Sequence, residues 1–208
     1  MQSVVTNNNL SIIAAADCTG HGVPGAFMSM LGHTLLNQTI KNPTVKSPGD
    51  VLNFLNAELP ENLKSYEQDV TIRDGMDIAL CAFDFENKKL YFAGANNPCW
   101  IIRDNAIIEL KADKQPISAS NDMLKTNFTN HEFDIKKGDC IYLFTDGYAD
   151  QFGGPKGKKF KYKQLQEKLI LLNALSLKEQ KEKLTSIFND WRGGLEQIDD
   201  VLIIGIKI

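Results

Sequence analysis

Three aspartates stand where a fold could put them to chemical use. Asp17 closes the apolar run Leu10–Ala16, Asp146 closes Cys140–Thr145, and Asp199, with Asp200 beside it, opens Val201–Ile208. Apolar runs of this kind read as strands. In an antiparallel sheet the start of one strand lies beside the end of its neighbour. If the last strand runs opposite to the other two, the three carboxylates gather on one edge, where they repel unless a cation lies among them. Oxygen donors with no accompanying His/Cys cluster favour Mg²⁺ or Mn²⁺ over zinc. Two such ions about 4 Å apart can activate a bridging water and clamp a phosphoryl oxygen. Taken singly, an aspartate at any of these places is more often a turn former or a cap.

The glycines weigh against that plainer reading. Asp17-Cys18-Thr19-Gly20-His21-Gly22 sets flexible residues directly after a strand, where backbone must come close to a ligand, and Asp146-Gly147 repeats the device. The stretch Ala16-Asp17-Cys18-Thr19-Gly20-His21-Gly22-Val23-Pro24-Gly25-Ala26 resembles the signature of the SpoIIE-type, RsbU-like branch of PP2C (PPM) serine/threonine phosphatases. Ala93-Gly94-Ala95-Asn96-Asn97-Pro98 resembles the Ala-Gly-His-x-Pro region of that family. Leu143-Phe144-Thr145-Asp146-Gly147 resembles its Asp-Gly strand end, and Asp199-Asp200-Val201-Leu202 its closing Asp-Asp motif. The first motif is highly specific; the later ones persuade by their order.

This resemblance implies an α+β fold, the PP2C-like four-layer αββα arrangement in which helices flank an antiparallel β-sandwich. It also implies a binuclear Mn²⁺ or Mg²⁺ centre. Carried over residue by residue, Asp17 would bridge the two ions, the Cys18 carbonyl would face one of them, and Asp146 and Asp199 would hold the other. A metal-bound hydroxide would attack phosphorus without a phosphoenzyme intermediate. The implied substrates are phosphoserine or phosphothreonine in regulatory partner proteins, often anti-sigma-factor antagonists. His21 is a candidate general acid for the leaving oxygen, with a turn-stabilising role as its alternative. Asp74 and Asp77 are candidates for a third, weaker metal. His33 and His131 are expected to be structural.

Two departures bear on function. Family members carry a further acidic motif, Gly-Asp-Phe/Tyr-Tyr-like, one strand before the equivalent of Leu10–Ala16; the segment opening at Met1-Gln2-Ser3 has none. The expectation is one domain over 1–208, cut at its N-terminal edge and forming the C-terminal part of a longer protein. Leu202 stands where a hydroxyl residue is common. The competing reading is a catalytically weak or inactive phosphatase-like module that binds a phosphoprotein partner.

The elements that must position these residues read as follows. Val4–Thr6 and Leu10–Ala16 flank the Asn7-Asn8-Asn9 turn as a hairpin, and Pro24 opens a helix on which Phe27, Leu31 and Leu35 share one face toward the sheet. A second helix starts at Ser47-Pro48, with Asp50 in a capping-box-like place. Strands follow over Ile78–Phe85, Leu90–Ala95, Trp100–Arg103 and Ala106–Leu110. Phe128–Ile135 and Cys140–Thr145 read as a further pair around Lys136-Lys137-Gly138-Asp139. Helices over Lys163–Ala174 and Leu177–Arg192, the latter capped by Ser176 with Glu179, precede the last strand.

The gross composition excludes several classes. A net charge of −3 gives no reason to expect nucleic acid, and the lysine run Lys156, Lys158, Lys159, Lys161 and Lys163 is local, read first as a solvated loop and second as a binding patch. No apolar stretch approaches the roughly 18 residues of a membrane-spanning helix, and no leader opens the segment. Cys18, Cys81, Cys99 and Cys140 form no Cys-x-x-Cys pair, which argues for a reducing cytoplasm. A homodimer stays open as an assembly. Gly153-Gly154-Pro155-Lys156-Gly157-Lys158 has the wrong spacing for a phosphate-binding loop of kinases, and no Gly-x-Ser-x-Gly elbow exists.

Overall fold

The computed structural model describes residues 2–7, 10–20, 22–42, 44–64, 75–118 and 126–208. In chain order the elements begin with strands β1 (Gln2–Asn7) and β2 (Leu10–Cys18), then helices α1 (Gly22–Ile40) and α2 (Pro48–Lys64). Strands β3 (Gly75–Asp84), β4 (Lys89–Ala95), β5 (Cys99–Arg103), β6 (Ala106–Leu110), β7 (Ile117–Ser118), β8 (His131–Asp134) and β9 (Cys140–Phe144) follow. The chain then runs through α3 (Gly147–Asp150), β10 (Phe152–Gly153), β11 (Lys158–Lys159), α4 (Tyr162–Leu172), α5 (Leu177–Arg192) and β12 (Ile203–Lys207). No helix among the described residues is long and apolar enough to cross a membrane.

Two compact units divide these elements. The first takes the chain up to Cys99 together with Leu110–Ile135. Its sheet runs β1-β2-β3-β4-β8, with β7 also on β3, and each of these pairings is antiparallel. β1 and β2 pair as expected, Asn7 with Leu10, while Asn8 and Asn9 of the expected turn lie outside the described residues. The core of this unit joins Ala14, Ala16, Ile78 and Leu80 of the sheet to Met28, Leu35 and Leu36 of α1 and to Leu52, Leu55 and Leu59 of α2. Burial of such aliphatic side chains, each about 1.5–3 kcal/mol, is what holds helices of this length to a sheet.

α1 packs on a different stripe from the one its apolar spacing suggests. Gly25, Met28, Gly32, Leu35, Leu36 and Thr39 are buried, whereas Phe27 is 40% exposed and Leu31 is only partly covered. At Gly25 the absence of a Cβ is required, since one would collide with the Gly20 carbonyl, and this sets which side of α1 turns inward.

The second unit comprises Trp100–Glu109 and Lys136–Ile208. Its sheet runs β12-β9-β5-β6, with β9 antiparallel to both β5 and β12. Trp100, Tyr142 and Phe144 meet Leu165 and Leu169 of α4 and Leu184 and Phe188 of α5 in its core. The capping box of α5 is complete: Ser176 Oγ accepts from the Glu179 N–H while the Glu179 carboxylate accepts from the Ser176 N–H. The expected pairing of Phe128–Ile135 with Cys140–Thr145 does not occur. β8 pairs with β4 in the first sheet and β9 lies in the second. Lys136–Asp139 is therefore a crossover rather than a hairpin turn, fixed by Asp139, which accepts from the Lys136 N–H and grips Arg103 of β5.

Candidate metal centre

Asp17 belongs to the first unit. It is half-buried near the end of β2, in register opposite Asp77 of β3. Directly opposed like charges weaken a strand pair. Burial pushes the Asp77 carboxyl above its usual range, and the Asn96 amide, donating to Asp77 Oδ1 at 2.8 Å, works against that rise. The loop beyond Asp17 is tied down at Thr19. Its N–H donates to Gly75 O at 3.0 Å, and its Oγ1 accepts from the Gly75 N–H at 2.9 Å. Gly20, at φ +91°, then turns the chain so tightly that a Cβ on Gly25 would collide with the Gly20 carbonyl. Glycine at both places lets α1 begin directly against the loop.

Asp146 and Asp199 belong to the second unit and lie together. Because β12 runs antiparallel to β9, with Ile203 opposite Phe144, the residues entering β12 return beside those leaving β9. Thr145, buried at this junction, fastens the two. Its N–H donates to Leu202 O at 3.0 Å, its Oγ1 donates to Asp200 O at 3.1 Å, and the same Oγ1 accepts from the Leu202 N–H at 3.1 Å. A Cβ on Gly147 would strike the Asp200 carbonyl. The outcome is a pair of carboxylates, Asp146 and Asp199, with oxygens within 4.8 Å of each other. Asp146 stands at the N-cap of α3 without a side-chain cap bond, and Asp199 Oδ1 accepts from the Asp200 N–H at 2.7 Å.

Gln151 secures the same pair from the other side. Fully buried, it donates from Nε2 to Glu196 O at 2.9 Å and accepts at Oε1 from the Ile198 N–H at 3.4 Å. Its own carbonyl accepts from the Trp191 indole at 3.1 Å and from the Phe160 N–H at 3.0 Å. One side chain thus links the segment after Asp146 to the segment before Asp199.

The stage II sporulation protein E (SpoIIE) family model matches residues 8–208. The chain belongs to the SpoIIE family. Among solved structures it is similar to the SiaA-PP2C domain of Pseudomonas aeruginosa, at 26% identity and a TM-score of 0.87, over 100% of this chain and 79% of that one. It is also similar to a Bacillus subtilis SpoIIE structure holding the PP2C phosphatase domain and a fragment of the regulatory domain, at 18% identity and a TM-score of 0.73. That match covers 100% of this chain and 58% of the other. The catalytic domain of PstP, solved in complex with two manganese ions, matches at 15% identity and a TM-score of 0.66, over 98% of this chain and 89% of that one. By sequence alone, no curated protein matches. The fold is the α+β fold of PP2C phosphatases.

In this SpoIIE-family chain the donor set suits Mn²⁺ or Mg²⁺. Its acidic members are hard carboxylate oxygens. The Cys18 thiol is half-buried, and burial raises its pKa while a hydrogen bond with Ser29 works against that rise. His33 is exposed on α1 beside Asn37, and the His131 ring lies 5.8 Å from that of Phe92. His21 and Asp74 lie outside the described residues.

Sequence reasoning missed Thr145, Gln151 and Asn96. Thr145 had a signal, being a hydroxyl beside the acid of a recognised motif. Gln151 had none, because the partners that join it to the segment before Asp199 are 40 to 47 positions away.

Proposed function

We propose that this chain is a metal-dependent protein phosphatase that hydrolyses phosphoserine or phosphothreonine on a regulatory partner protein, through a water activated by Mn²⁺ or Mg²⁺. The observation that carries this reading is the Asp146–Asp199 pair, two carboxylates drawn together in a chain of the SpoIIE family. Two like charges that close favour a shared cation. Asp17 is proposed as the third member of the ligand group, with the Cys18 carbonyl as a further donor. When bound, the two ions would lower the pKa of water and offset charge on the phosphoryl oxygens. The rest of the task falls to the chain. Thr145 and Gln151 fix the spacing of Asp146 and Asp199, and Thr19 fixes the loop after Asp17. His21 is the proposed donor of the proton that the leaving seryl or threonyl oxygen takes up as its bond to phosphorus breaks. A partner of this kind, an anti-sigma-factor antagonist for instance, is met in the cytoplasm, where the four free cysteines stay reduced.

Calorimetric titration with Mn²⁺, paired with hydrolysis of a phosphoserine peptide, tests the proposal. The wild type should bind the ion and release phosphate, and Asp146→Asn should lose about 1000-fold in turnover, several kcal/mol of transition-state stabilisation. A wild type that binds Mn²⁺ and the peptide yet never releases phosphate would replace this reading with that of a phosphoprotein-binding module.

A further inference from the structure

The segment leaving Asp146 rises into a short hairpin of unusual charge. β10 and β11 pair antiparallel, Phe152 with Lys159 and Gly153 with Lys158, and between Lys156 and Lys163 there are five lysines, all exposed. Lys159 is committed, its Nζ 2.7 Å from Asp150 Oδ2 and 6.0 Å from the centroid of the Phe152 ring. Among the described residues no carboxylate is paired with Lys156, Lys158, Lys161 or Lys163. Phe152 and Tyr162, at 41% and 37% exposure, stand among them. On a chain of net charge −3 this is a concentrated local reversal of sign.

The hairpin is also held in place. Gly153 and Gly154 lie so close to Trp191 of α5 that a Cβ on either would collide with it, and the Gly154 N–H donates to Trp191 O at 2.7 Å. Phe160 packs edge-on against both Tyr148 and Trp191. At its base Gln151 joins the hairpin to Glu196 and Ile198, directly before Asp199. A preorganised surface loses less side-chain and loop entropy when a partner binds. The residue at its base, Gln151, also binds the segment that runs directly into Asp199, so the hairpin and the carboxylate pair share one anchor.

We infer that the β10–β11 hairpin is the docking surface for the substrate protein, and that it selects phosphoserine or phosphothreonine segments flanked by acidic residues. The inference rests on the phosphatase reading and adds its substrate preference. Lysines on flexible stems suit a run of Asp and Glu whose exact spacing varies, and such attraction raises the encounter rate as well as affinity. The exposed Phe152 and Tyr162 rings offer apolar contact alongside.

The test uses two fluorescent phosphoserine peptides, one with Asp/Glu flanks and one with Lys flanks, and the wild type against the triple variant Lys156→Glu/Lys158→Glu/Lys163→Glu. Anisotropy in EDTA reads binding without turnover, and kcat/KM with Mn²⁺ reads selectivity. The wild type should prefer the acidic peptide about 10-fold in both, and the preference should fade in 0.5 M salt. In the variant it should vanish or reverse. Equal binding of both peptides by the wild type overturns the inference, as does an unchanged preference in the variant. Tighter binding of a single-stranded oligonucleotide than of the acidic peptide also overturns it, by assigning the lysines to nucleic acid. Should no peptide be hydrolysed while the anisotropy preference holds, the docking surface stands and the phosphatase reading falls.

Discussion

Strand β9 has an aspartate at each end, and the two are treated in opposite ways. At its start Asp139, 1% exposed, receives two bonds from Arg103, Nε at 2.8 Å and Nη2 at 2.7 Å, and a third from the Lys136 N–H at 2.8 Å. Its charge is answered within the fold. Past the other end, what stands beside the Asp146 carboxylate is another carboxylate, that of Asp199. There Thr145 and Gln151 bind the backbone that carries the acids. The contrast is between a carboxylate supplied with a cation by its own chain and one gathered with its like.

The first way to break the comparison is to remove the structural cation. Arg103→Ala leaves Asp139 buried without its guanidinium, a change expected to cost about 3–5 kcal/mol in denaturant unfolding at neutral pH. The pH dependence gives the sign. Burial by itself raises the Asp139 pKa, and the Arg103 and Lys136 bonds outweigh it, holding the carboxyl below its usual range. The pair's stabilisation is therefore full above the unfolded carboxylate pKa of about 4, and is lost as pH falls through the folded value. In Arg103→Ala burial is opposed only by the Lys136 bond, so protonation relieves part of the strain. The stability gap between variant and wild type should narrow steadily below pH 4, and a constant gap would mean that Arg103 acts through packing alone.

A second way sharpens the comparison at the other end. Gln151→Leu keeps the volume but removes both the donor to Glu196 O and the acceptor from the Ile198 N–H. If positioning is what this end of β9 supplies, Mn²⁺ affinity should drop about 10–100-fold, the range seen when groups behind a metal ligand are lost. Gln151→Glu keeps the acceptor alone and should fall between. Calorimetry checks both, and unchanged affinity would leave Gln151 a role in packing only.

How much of this was legible beforehand follows from the range over which each device acts. Strand ends and the α5 capping box depend on neighbours in sequence, so Asp17, Asp146 and Asp199 could be singled out and Ser176 matched to Glu179. The antiparallel return of β12 beside β9 was inferable from the strand order. The stripe of α1 was not, because Phe27 and Leu31 satisfy the same helical spacing as Met28, Leu35 and Leu36, and the close approach of Gly25 to the Gly20 carbonyl favours the latter. Nor was the separation of β8 from β9, since a Lys-Lys-Gly-Asp turn serves a hairpin or a crossover equally well, and the deciding partner, Arg103, is 36 positions from Asp139. Gln151 is the extreme case, a buried polar residue tied to Trp191, Glu196 and Ile198 across 40 to 47 positions.

The smallest expected effect is the most specific to the carboxylate pair. If Asp146 and Asp199 repel in the metal-free protein, neutralising one of them removes an unfavourable term and the fold gains. Across 4.8 Å, with Asp199 exposed to water, two unit charges interact by about 0.5–1 kcal/mol, less as salt rises. Asp199→Asn should therefore unfold at higher denaturant than the wild type in EDTA and low salt, by an amount that shrinks toward zero at 0.5 M salt. Adding Mn²⁺ should reverse the order, because the wild type gains binding free energy that the variant has given up. A structural aspartate behaves oppositely: Asp139→Asn loses its ion pair and is weaker with or without the ion. A destabilised Asp199→Asn in EDTA would place Asp199 with Asp139 among the structural acids. The crossing of the two stability curves on adding metal is what a ligand group, and no internally paired carboxylate, produces.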